Sequence, residues 1–496
     1  MFPYKTSLHI NRKSKEPLFL QLTNQFIHLI KEGKIPSGTK LIGTRSLAEL
    51  LQVHRKTIVA CYEELAMQGW LETIPKKGTF VPENLPLLKS EDYKGNKVSD
   101  NIDQIGFSYY KSNLPGKTIE KEEGWLYVND GVSDGRLTPT EDLAKIYRRI
   151  SARKNITKHL GYISTQGNEQ LRSVLANYLN ETRGLTISKD HILITRGSQM
   201  GIWLSAQLLL KEEDIIVVGE TNYASADITF LHQGAKVLRV PVDENGIDTV
   251  ALEKICESQQ IKGVYVTSHH HHPTTVTLSA ERRICLLNLA KKHSFAIIED
   301  DYDYDFNYNH APILPLASHD VHHNVIYIGS VCKTVAPVFR VGYLIADKEF
   351  VNEASQVRGF VDRQGDALQE LTFAEFIKSG DLDRHIRKVL KVYEKRRDLF
   401  CNLLKEELSE FFSFNKPKGG MAVWLTLNKK YTWNQVSDIA KKYKLAIGNV
   451  SRYDMAKTNH NAIRMGFATF NEEELYELIK RMKFTMKDLV NQEKSV

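Results

Sequence analysis

The sequence predicts an α/β protein in two parts. Residues 1–82 are predicted to form an N-terminal winged helix-turn-helix, and residues 124–496 a large domain that contains a mainly parallel sheet. Three observations lead to this prediction. At 496 residues, the chain is too long for one ordinary domain. Twelve Lys or Arg and six Asp or Glu fall within the first part, which therefore carries +6 of the chain's net charge of +7. From about residue 124, apolar runs alternate with amphipathic helical patterns.

The first part contains a pattern of two short helices joined by a tight turn. A leading helix within 17–35 is indicated by apolar residues at helical spacing, namely Leu18, Leu22, Phe26 and Ile30. A helix at 44–51 and another at 55–70 follow, with about three residues between them, as in a helix-turn-helix. Residues 71–81 are typical of two short strands around a basic Lys-Lys-Gly turn, which is a wing.

Six residues of this part are candidate DNA contacts: Arg45, Arg55, Lys56, Thr57, Lys76 and Lys77. The N-terminal end of the second helix of such a motif enters the major groove, where its free N–H groups and its dipole favour phosphate. The basic excess also favours a polyanion as the partner. The sequence therefore predicts binding to a double-stranded DNA operator. The alternative is a small helical bundle that uses this helix for protein contacts.

The same segment resembles the GntR-type winged helix. The matching motifs are Gln21, IKEGKIPSGTKLIGTRSLAELL, LQVHRKTIV and KKGTFV, and together they cover nearly all of residues 17–81. The segment departs from the family at Ile42, where proline is preferred, and the wing lacks one usual glycine. Neither change falls on a predicted DNA contact.

Residues 83–123 show no sustained hydrophobic periodicity and mix Pro, Gly, Asn, Lys and Asp, which predicts an exposed linker with some local order around 105–110.

The cellular setting is indicated by other features. Five scattered cysteines argue against a disulfide framework and a zinc site, and they favour the reducing cytoplasm. No apolar run approaches the ~18 residues that a membrane span needs.

Seven apolar runs predict the strands of the large domain. They cover residues 191–195, 214–220, 236–242, 263–268, 295–300, 324–330 and 342–347. Helical patterns such as 197–213 and 279–293 lie between them. Such βα units form a mainly parallel sheet with helices on both faces, and ligands bind at the carboxyl ends of its strands.

The residues that follow three of these runs are Ser198 and Gln199, then Asp300 and Tyr302, then Ser330, Lys333 and Arg340. This set is what pyridoxal 5'-phosphate requires. A lysine forms the Schiff base with its aldehyde, and an acid keeps its pyridinium nitrogen protonated. A helix N-terminus, a serine and an arginine hold its phosphate. Each residue alone fits an ordinary surface or turn, so the prediction rests on their combination.

The region 124–485 resembles the fold type I aminotransferases, which depend on pyridoxal phosphate. Together with the winged helix, the whole chain resembles a MocR/GabR-type transcription regulator. The motifs that carry the resemblance are 161-GYISTQGNEQLR-172, 196-RGSQ-199, 220-ETNY-223, 281-ERR-283, 299-EDDYDYDF-306, 329-GSVCKTVAPVFRVGY-343 and 463-IRMGFA-468.

The resemblance implies a role for each matching residue. Lys333 would form the Schiff base, Asp300 would pair with the pyridine nitrogen, Tyr302 would bond the ring hydroxyl, and Tyr223 would stack on the ring. The phosphate would be held by Ser198, Gln199, Ser330 and Arg340. Arg464 would bind the carboxylate of an amino-acid effector. Tyr162 would reach the phosphate of the neighbouring subunit, which implies a homodimer.

The run 267-TSHHHHPTT-275 departs from the family pattern. His272 stands where catalytic aminotransferases carry an asparagine, and Thr275 replaces a glycine. Four consecutive histidines also suggest a metal site, but no partner is close in sequence, so we predict none. Position 225 is Ser, where GABA-responsive members carry an arginine, and this places GABA in doubt as the effector.

Three functions fit these residues. In the first, which we favour, a DNA-binding regulator senses pyridoxal phosphate, alone or with an amino compound, through an aldimine at Lys333. In the second, a working aminotransferase carries an accessory DNA-binding domain. In the third, a regulator has lost the cofactor, but the intact set around Lys333 argues against it.

Overall fold

The structure is a computed structural model, and it describes residues 2–85, 107–111, 122–308, 313–331, 333–448, 453 and 455–494. The chain divides into two compact units, residues 1–113 and 114–496. Most of the predicted linker, and Cys332 beside Lys333, lie outside the described residues.

The first unit is a winged helix-turn-helix. Its elements are α1 (Tyr4–Ser7), α2 (Leu18–Lys31), α3 (Thr44–Leu51), α4 (Arg55–Met67), β1 (Glu72–Ile74) and β2 (Gly78–Phe80). Strands β1 and β2 pair in antiparallel fashion as the wing. Leu22, Phe26 and Ile30 are buried in its core, as the helical spacing predicts. The sequence did not predict α1, which contributes Tyr4 to the same core.

Two helices of this unit end just before a glycine. Helix α2 ends at Lys31, and Gly33 follows it with a positive φ of 69°. Helix α4 ends at Met67, and Gly69 follows with a φ of 79°. Glycine adopts this left-handed conformation readily, and it therefore terminates both helices.

The second unit is built on a seven-stranded sheet. Its elements, in chain order, are β3 (Leu126–Tyr127), α5 (Thr140–Ser151), α6 (Glu169–Arg183), β4 (Ile192–Thr195), α7 (Ser198–Leu209), β5 (Ile215–Gly219), α8 (Ala224–His232), β6 (Lys236–Val240), β7 (Val242–Asp243), β8 (Gly246–Ile247), α9 (Thr249–Ser258), β9 (Gly263–Val266), α10 (Ala280–His293), β10 (Ala296–Asp301), β11 (Val325–Ser330), β12 (Gly342–Ile345) and α11 (Lys348–Val361). The sheet order is β4-β12-β11-β10-β9-β5-β6, and only β12 runs antiparallel to its neighbours.

Both faces of this sheet are covered by helices, as the βα pattern predicts. On β4, Ile194 packs into a cluster with residues of α5, α6 and the later helix α12 (Ala367–Lys378), whereas Leu193 packs into a cluster with residues of α7 and α11. Successive strand residues point to opposite faces, so a continuous apolar run is what a strand buried on both sides needs.

A second, three-stranded sheet completes this unit. The remaining elements are α12 (Ala367–Lys378), α13 (Asp381–Leu408), β13 (Phe412–Ser413), β14 (Ala422–Leu427), α14 (Trp433–Ala440), β15 (Leu445–Ala446), β16 (Ala462–Gly466) and α15 (Glu472–Lys494). The antiparallel order β13-β14-β16 packs against α13, α14 and α15. Strand β15 pairs in parallel with β3, so the segment that enters this unit lies against its C-terminal part. None of the helices in the described part of the chain is long and apolar enough to cross a membrane.

Candidate functional site

Lys333 lies where the predicted strand ends converge. It follows β11, which pairs in parallel with β10, and β10 ends at Asp300 and Asp301. Its Nζ donates to the carbonyl of Gly131 at 2.6 Å and lies 5.9 Å from the ring centroid of Tyr302. Burial lowers the pKa of the amine, although the carboxylate of Asp130 opposes this shift. A lowered pKa favours the neutral amine, which is the nucleophilic form.

Asp300 is a buried acid with one oxygen available for a ligand. Its side chain is only 3% exposed, and its Oδ2 accepts a 2.8 Å hydrogen bond from the hydroxyl of Tyr265 on β9. Among the described residues, its Oδ1 has no hydrogen-bond partner. Burial raises the pKa of this carboxyl to about 7. A buried acceptor without a partner is costly, so the geometry fits an N–H donor from a bound ring.

Replacing Asp300 with asparagine is expected to change how the stability of the cofactor-free protein depends on pH. An aspartate in an unfolded chain titrates near ~3.9, so between that value and about 7 the folded protein binds a proton that the unfolded chain does not. The stability provided by the neutral carboxyl is therefore lost as the pH rises through this window. Relative to the wild type, Asp300→Asn should gain about 2 kcal/mol of unfolding free energy between pH 5 and pH 7. Urea unfolding at both pH values measures this gain, and a pH-independent difference would contradict it.

Arg464 is a buried cation that faces the same pocket. It is 2% exposed on β16, and its guanidinium donates to the carbonyl of Asp130 at 2.8 Å, the carbonyl of Pro273 at 3.2 Å and the hydroxyl of Tyr302 at 3.1 Å. Among the described residues, no carboxylate forms an ion pair with it. A buried charge held only by neutral acceptors fits a site for an anionic ligand group.

The aromatic wall of the pocket consists of Tyr302, Tyr223 and His272. The Tyr302 hydroxyl donates to the His270 carbonyl at 2.9 Å. The rings of Tyr223 and His272 meet edge to face with centroids 5.2 Å apart. Burial lowers the pKa of His272 to about 4, so this ring is neutral near pH 7, and its Nδ1 has no partner within the described structure.

The residues predicted to hold phosphate surround the start of α7. Gly197 caps this helix with a φ of 79°, and a Cβ there would lie 2.6 Å from Nη2 of Arg340. Glycine is thus required both for this backbone conformation and for the close approach of the guanidinium. Arg340 donates to the Arg196 carbonyl at 2.7 Å, which fixes it beside the N–H groups of Ser198 and Gln199. Such a helix end and a guanidinium together form an anion site.

Two predicted cofactor residues make contacts that the sequence did not indicate. The Gln199 side chain donates to the Thr229 hydroxyl at 2.9 Å, so its amide nitrogen is directed to α8. The Ser330 hydroxyl donates to the Val341 carbonyl at 3.2 Å. Tyr162 is not brought to the pocket of its own chain, because it is 81% exposed and stacks under the guanidinium of Arg363 at 4.3 Å. The predicted contact of Tyr162 with a neighbouring subunit stays a prediction.

The histidine run pairs with acids at the end of β10 and just after it. His269 Nδ1 lies 3.0 Å from Asp301 Oδ1, and His270 Nδ1 lies 2.9 Å from Asp303 Oδ1. His271 Nε2 lies 2.9 Å from the Thr221 carbonyl. These contacts give the first three histidines structural partners that hold the wall of the pocket. Within the described residues, no group of three or more His, Cys, Asp or Glu side chains is arranged to hold a metal ion.

Three residues that line the pocket were not predicted from the sequence: Asp130, Gly131 and Tyr265. Asp130 Oδ2 lies 3.8 Å from Nε2 of His272, and the neighbouring carbonyl of Gly131 accepts from Lys333. Residues 129–131 read Asn-Asp-Gly, a sequence typical of turns, but nothing in it indicates a partner 202 positions away. Tyr265 lies inside an apolar run. Only the hydroxyl of its side chain could have indicated that it contacts a polar residue, which is Asp300.

The candidate DNA contacts lie at the starts of α3 and α4 and on the wing. Arg45, Arg55, Lys56, Lys76 and Lys77 are exposed, and Thr57 is partly buried. His54 caps α4, since its Nδ1 accepts from the N–H of Lys56 at 3.2 Å. Lys76 adopts a positive φ of 63° in the wing turn, which projects between the two short strands.

The comparisons with known proteins match both units. Residues 126–482 match the family Aminotransferase class I and II, and residues 20–81 match the bacterial regulatory proteins of the gntR family. The HTH-type transcriptional regulator YdeL of Bacillus subtilis (strain 168) is 27% identical over 482 residues, which are 96% of this chain and 98% of YdeL. The probable rhizopine catabolism regulatory protein MocR of Rhizobium meliloti is 25% identical over 415 residues, which are 84% of this chain and 82% of MocR.

Among solved structures, the multiple substrate aminotransferase from Thermococcus profundus aligns with a TM-score of 0.70 at 26% identity, over 75% of this chain and 93% of that one. The matched aminotransferase family and fold depend on pyridoxal phosphate. The sequence-based predictions of a winged helix and of an aminotransferase-like fold are thus confirmed. The chain belongs to the aminotransferase class I and II family, and its gntR-family domain gives it the organisation of the MocR-type transcriptional regulators.

Proposed function

We propose that this chain regulates transcription by binding a DNA operator through its first unit and by responding to pyridoxal phosphate and an amino compound in its second unit. When bound, pyridoxal phosphate supplies an aldehyde that bonds to an amine and a ring that withdraws electrons. The observation that carries the proposal is the partly buried amine of Lys333, which interacts electrostatically with Asp300 and Arg464. Among the described residues, Asp300 Oδ1 has no hydrogen-bond partner, and the guanidinium of Arg464 is buried.

The chain's own residues are suited to hold this cofactor. Asp300 Oδ1 would accept from the ring N–H, and Tyr223 and Tyr302 would provide aromatic and hydroxyl contacts to the ring. The phosphate would lie against the start of α7, held by Ser198, Gln199, Ser330 and Arg340. Tyr162, exposed in its own chain, would complete this site from the second copy of a homodimer.

The hydrogen bond between Lys333 and Gly131 supports a sensing role. Lys333 donates to this carbonyl as a free amine, whereas a covalent double bond at Nζ would leave that atom at most one hydrogen, held in a fixed plane, and would weaken or redirect the hydrogen bond. Arg464 holds the adjacent carbonyl of Asp130, so Lys333 and Arg464 together restrain residues 130–131. This segment follows the predicted linker within eight residues along the chain. An amine that displaces the lysine would therefore change the hydrogen bonds that restrain residues 130–131, close in sequence to the linker of the DNA-binding unit. A ligand shifts a protein between two states only if its interactions differ between those states.

Replacing Arg464 with glutamine is expected to remove the preference for effectors that carry a carboxylate. In the wild type, an α-amino acid should perturb the cofactor's visible spectrum at a concentration at least ~10-fold lower than the amine that lacks its carboxylate, because a charge-assisted bidentate contact contributes about 1.5–3 kcal/mol. The variant should respond to both compounds at similar concentrations. Spectral titration with alanine and ethylamine measures the difference.

Arg464→Lys is the matched control, since it keeps the charge but loses the bidentate geometry. It should retain part of the preference for alanine. Equal responses of the wild type to alanine and ethylamine would contradict the role of Arg464 as the carboxylate contact.

A second candidate function is a working aminotransferase with an accessory DNA-binding domain. The complete set of Lys333, Asp300 and Arg464 supports it as well. The neutral ring of His272, in place of an asparagine amide, argues for incomplete chemistry. Incubating the cofactor-loaded protein with a panel of amino acids and measuring keto acid release separates the two functions. Repeated turnover would favour the enzyme, and at most one equivalent would favour the regulator.

A further inference from the structure

We propose that residues 11–16, here called the basic turn, form a second phosphate contact to DNA, beside the helix-turn-helix. This inference rests on the DNA binding proposed above and adds a contact surface to it. The basic turn reads Asn-Arg-Lys-Ser-Lys-Glu, and the side chains of Arg12, Lys13 and Lys15 are all exposed. None of these three residues belongs to the helix-turn-helix or to the wing.

A buried glutamine closes the basic turn from inside the unit. Gln21, on α2, is only 7% exposed. Its side chain accepts from the N–H of Asn11 at 3.0 Å and donates to the carbonyls of Asn11 at 3.1 Å and Glu16 at 2.8 Å. One buried amide thus uses its acceptor and both donors to fix the two ends of the turn.

The interior of the basic turn and the stretch before it are also fixed by side chains. Asn11 Oδ1 accepts from the N–H of Lys13 at 3.0 Å, and the Ser14 hydroxyl accepts from the N–H of Glu16 at 3.1 Å. Gln25, one helical turn beyond Gln21, exchanges two 2.7 Å hydrogen bonds with the backbone of His9. The three cations are therefore presented on an ordered backbone, so binding orders little more than their side chains.

Arg12 places the basic turn beside the reading helices. Its Nη2 donates to the carbonyl of Gln52 at 2.6 Å. Gln52 ends α3 in the left-handed conformation and comes three residues before Arg55, where α4 begins. The N-terminal end of the second helix of this motif is the end that enters the major groove. The basic turn consequently lies against the part of the unit that approaches DNA.

The charges of the basic turn match a phosphate backbone. Among the described residues, neither Lys13 nor Lys15 forms an ion pair. The one acid of the turn, Glu16, accepts from the Asn24 amide at 3.1 Å. Lysine side chains that flank a reading helix commonly contact phosphates, which fix the position of the protein on the duplex without reading its sequence.

The test is the salt dependence of binding to a mixed-sequence 30-base-pair duplex, measured by fluorescence anisotropy on the full chain. Each lost phosphate contact lowers the slope of log K against log salt by ~0.9. Lys13→Ala combined with Lys15→Ala should therefore give a slope shallower by about 2, with at least ~10-fold weaker binding at low salt. Lys13→Arg with Lys15→Arg should keep the wild-type slope. The charge-matched control is Lys391→Ala with Lys405→Ala, on exposed positions of α13.

A wild-type slope in the alanine variant would overturn the basic turn as a contact. An equal loss in the α13 control would also overturn it, because total charge would then be the cause. If the wild type itself fails to bind the duplex, the proposed DNA binding fails, and the result is distinct from a failure of the basic turn alone.

Discussion

Lys333→Ala is expected to abolish covalent retention of pyridoxal phosphate and the visible absorbance band that accompanies it. Lys333 has its amine at the pocket next to Asp300 and Tyr302, and the lowered pKa from burial favours its nucleophilic form. The phosphate contacts at the start of α7 remain in the variant, so weak, reversible binding should persist. Absorbance spectra after desalting, together with the protein mass after borohydride reduction, measure retention.

Lys348→Ala is the matched control for this variant. Lys348 is an exposed lysine at the start of α11, so its loss removes the same charge without touching the pocket. The control should keep the band and the added mass of the reduced cofactor. If Lys333→Ala keeps both as well, the lysine assignment is wrong.

Arg55→Ala combined with Lys56→Ala is expected to weaken operator binding by about 2–6 kcal/mol while leaving cofactor binding unchanged. Both side chains are exposed on the first turn of α4, whose N–H groups and dipole attract phosphate. Because contacts to bases and to phosphates are both affected, the loss should be larger on the operator than on unrelated DNA. An operator selected from a random duplex library by the wild type serves as the probe.

The lysine pair on α13 again provides the charge-matched control. Lys391→Ala with Lys405→Ala removes two positive charges from the second unit and should leave operator affinity at the wild-type value. Unchanged operator affinity in the α4 variant would mean that DNA binds a different surface.

Much of the fold could be predicted from the sequence because its strands are buried on both faces. The apolar runs 191–195 and 324–330 correspond to β4 and β11 within one residue at their ends, since a doubly covered strand needs a continuous apolar run. The small antiparallel sheet was largely missed. Strand β14 has two half-buried positions, β16 contains the charged Arg464, and the two strands lie far apart in sequence, so only the motif around Arg464 indicated one of them.

The residues of the candidate site that follow strands could be predicted from the sequence. The residues that reach the site from distant loops could not, because only the tertiary structure brings those loops together. Asp300 and Lys333 lie at the ends of neighbouring parallel strands, which the alternating pattern places side by side. Asp130 and Gly131 reach the same pocket from a loop that β3 and β16 hold in place, through a 2.7 Å bond between the N–H of Gly466 and the Asn129 carbonyl. No local pattern encodes that contact. Likewise, the histidine run itself gives no sign that His269 and His270 pair with acids at the end of β10 and just after it.

The most direct test of the proposed coupling is the operator affinity of one cofactor-loaded preparation, measured with and without an amine that shifts its spectrum. For the wild type, we expect the operator dissociation constant to change by at least ~5-fold, which is the low end of typical allosteric coupling. For Lys333→Ala, we expect no change. An amine that converts the spectrum completely while the operator dissociation constant stays the same would contradict the proposed coupling.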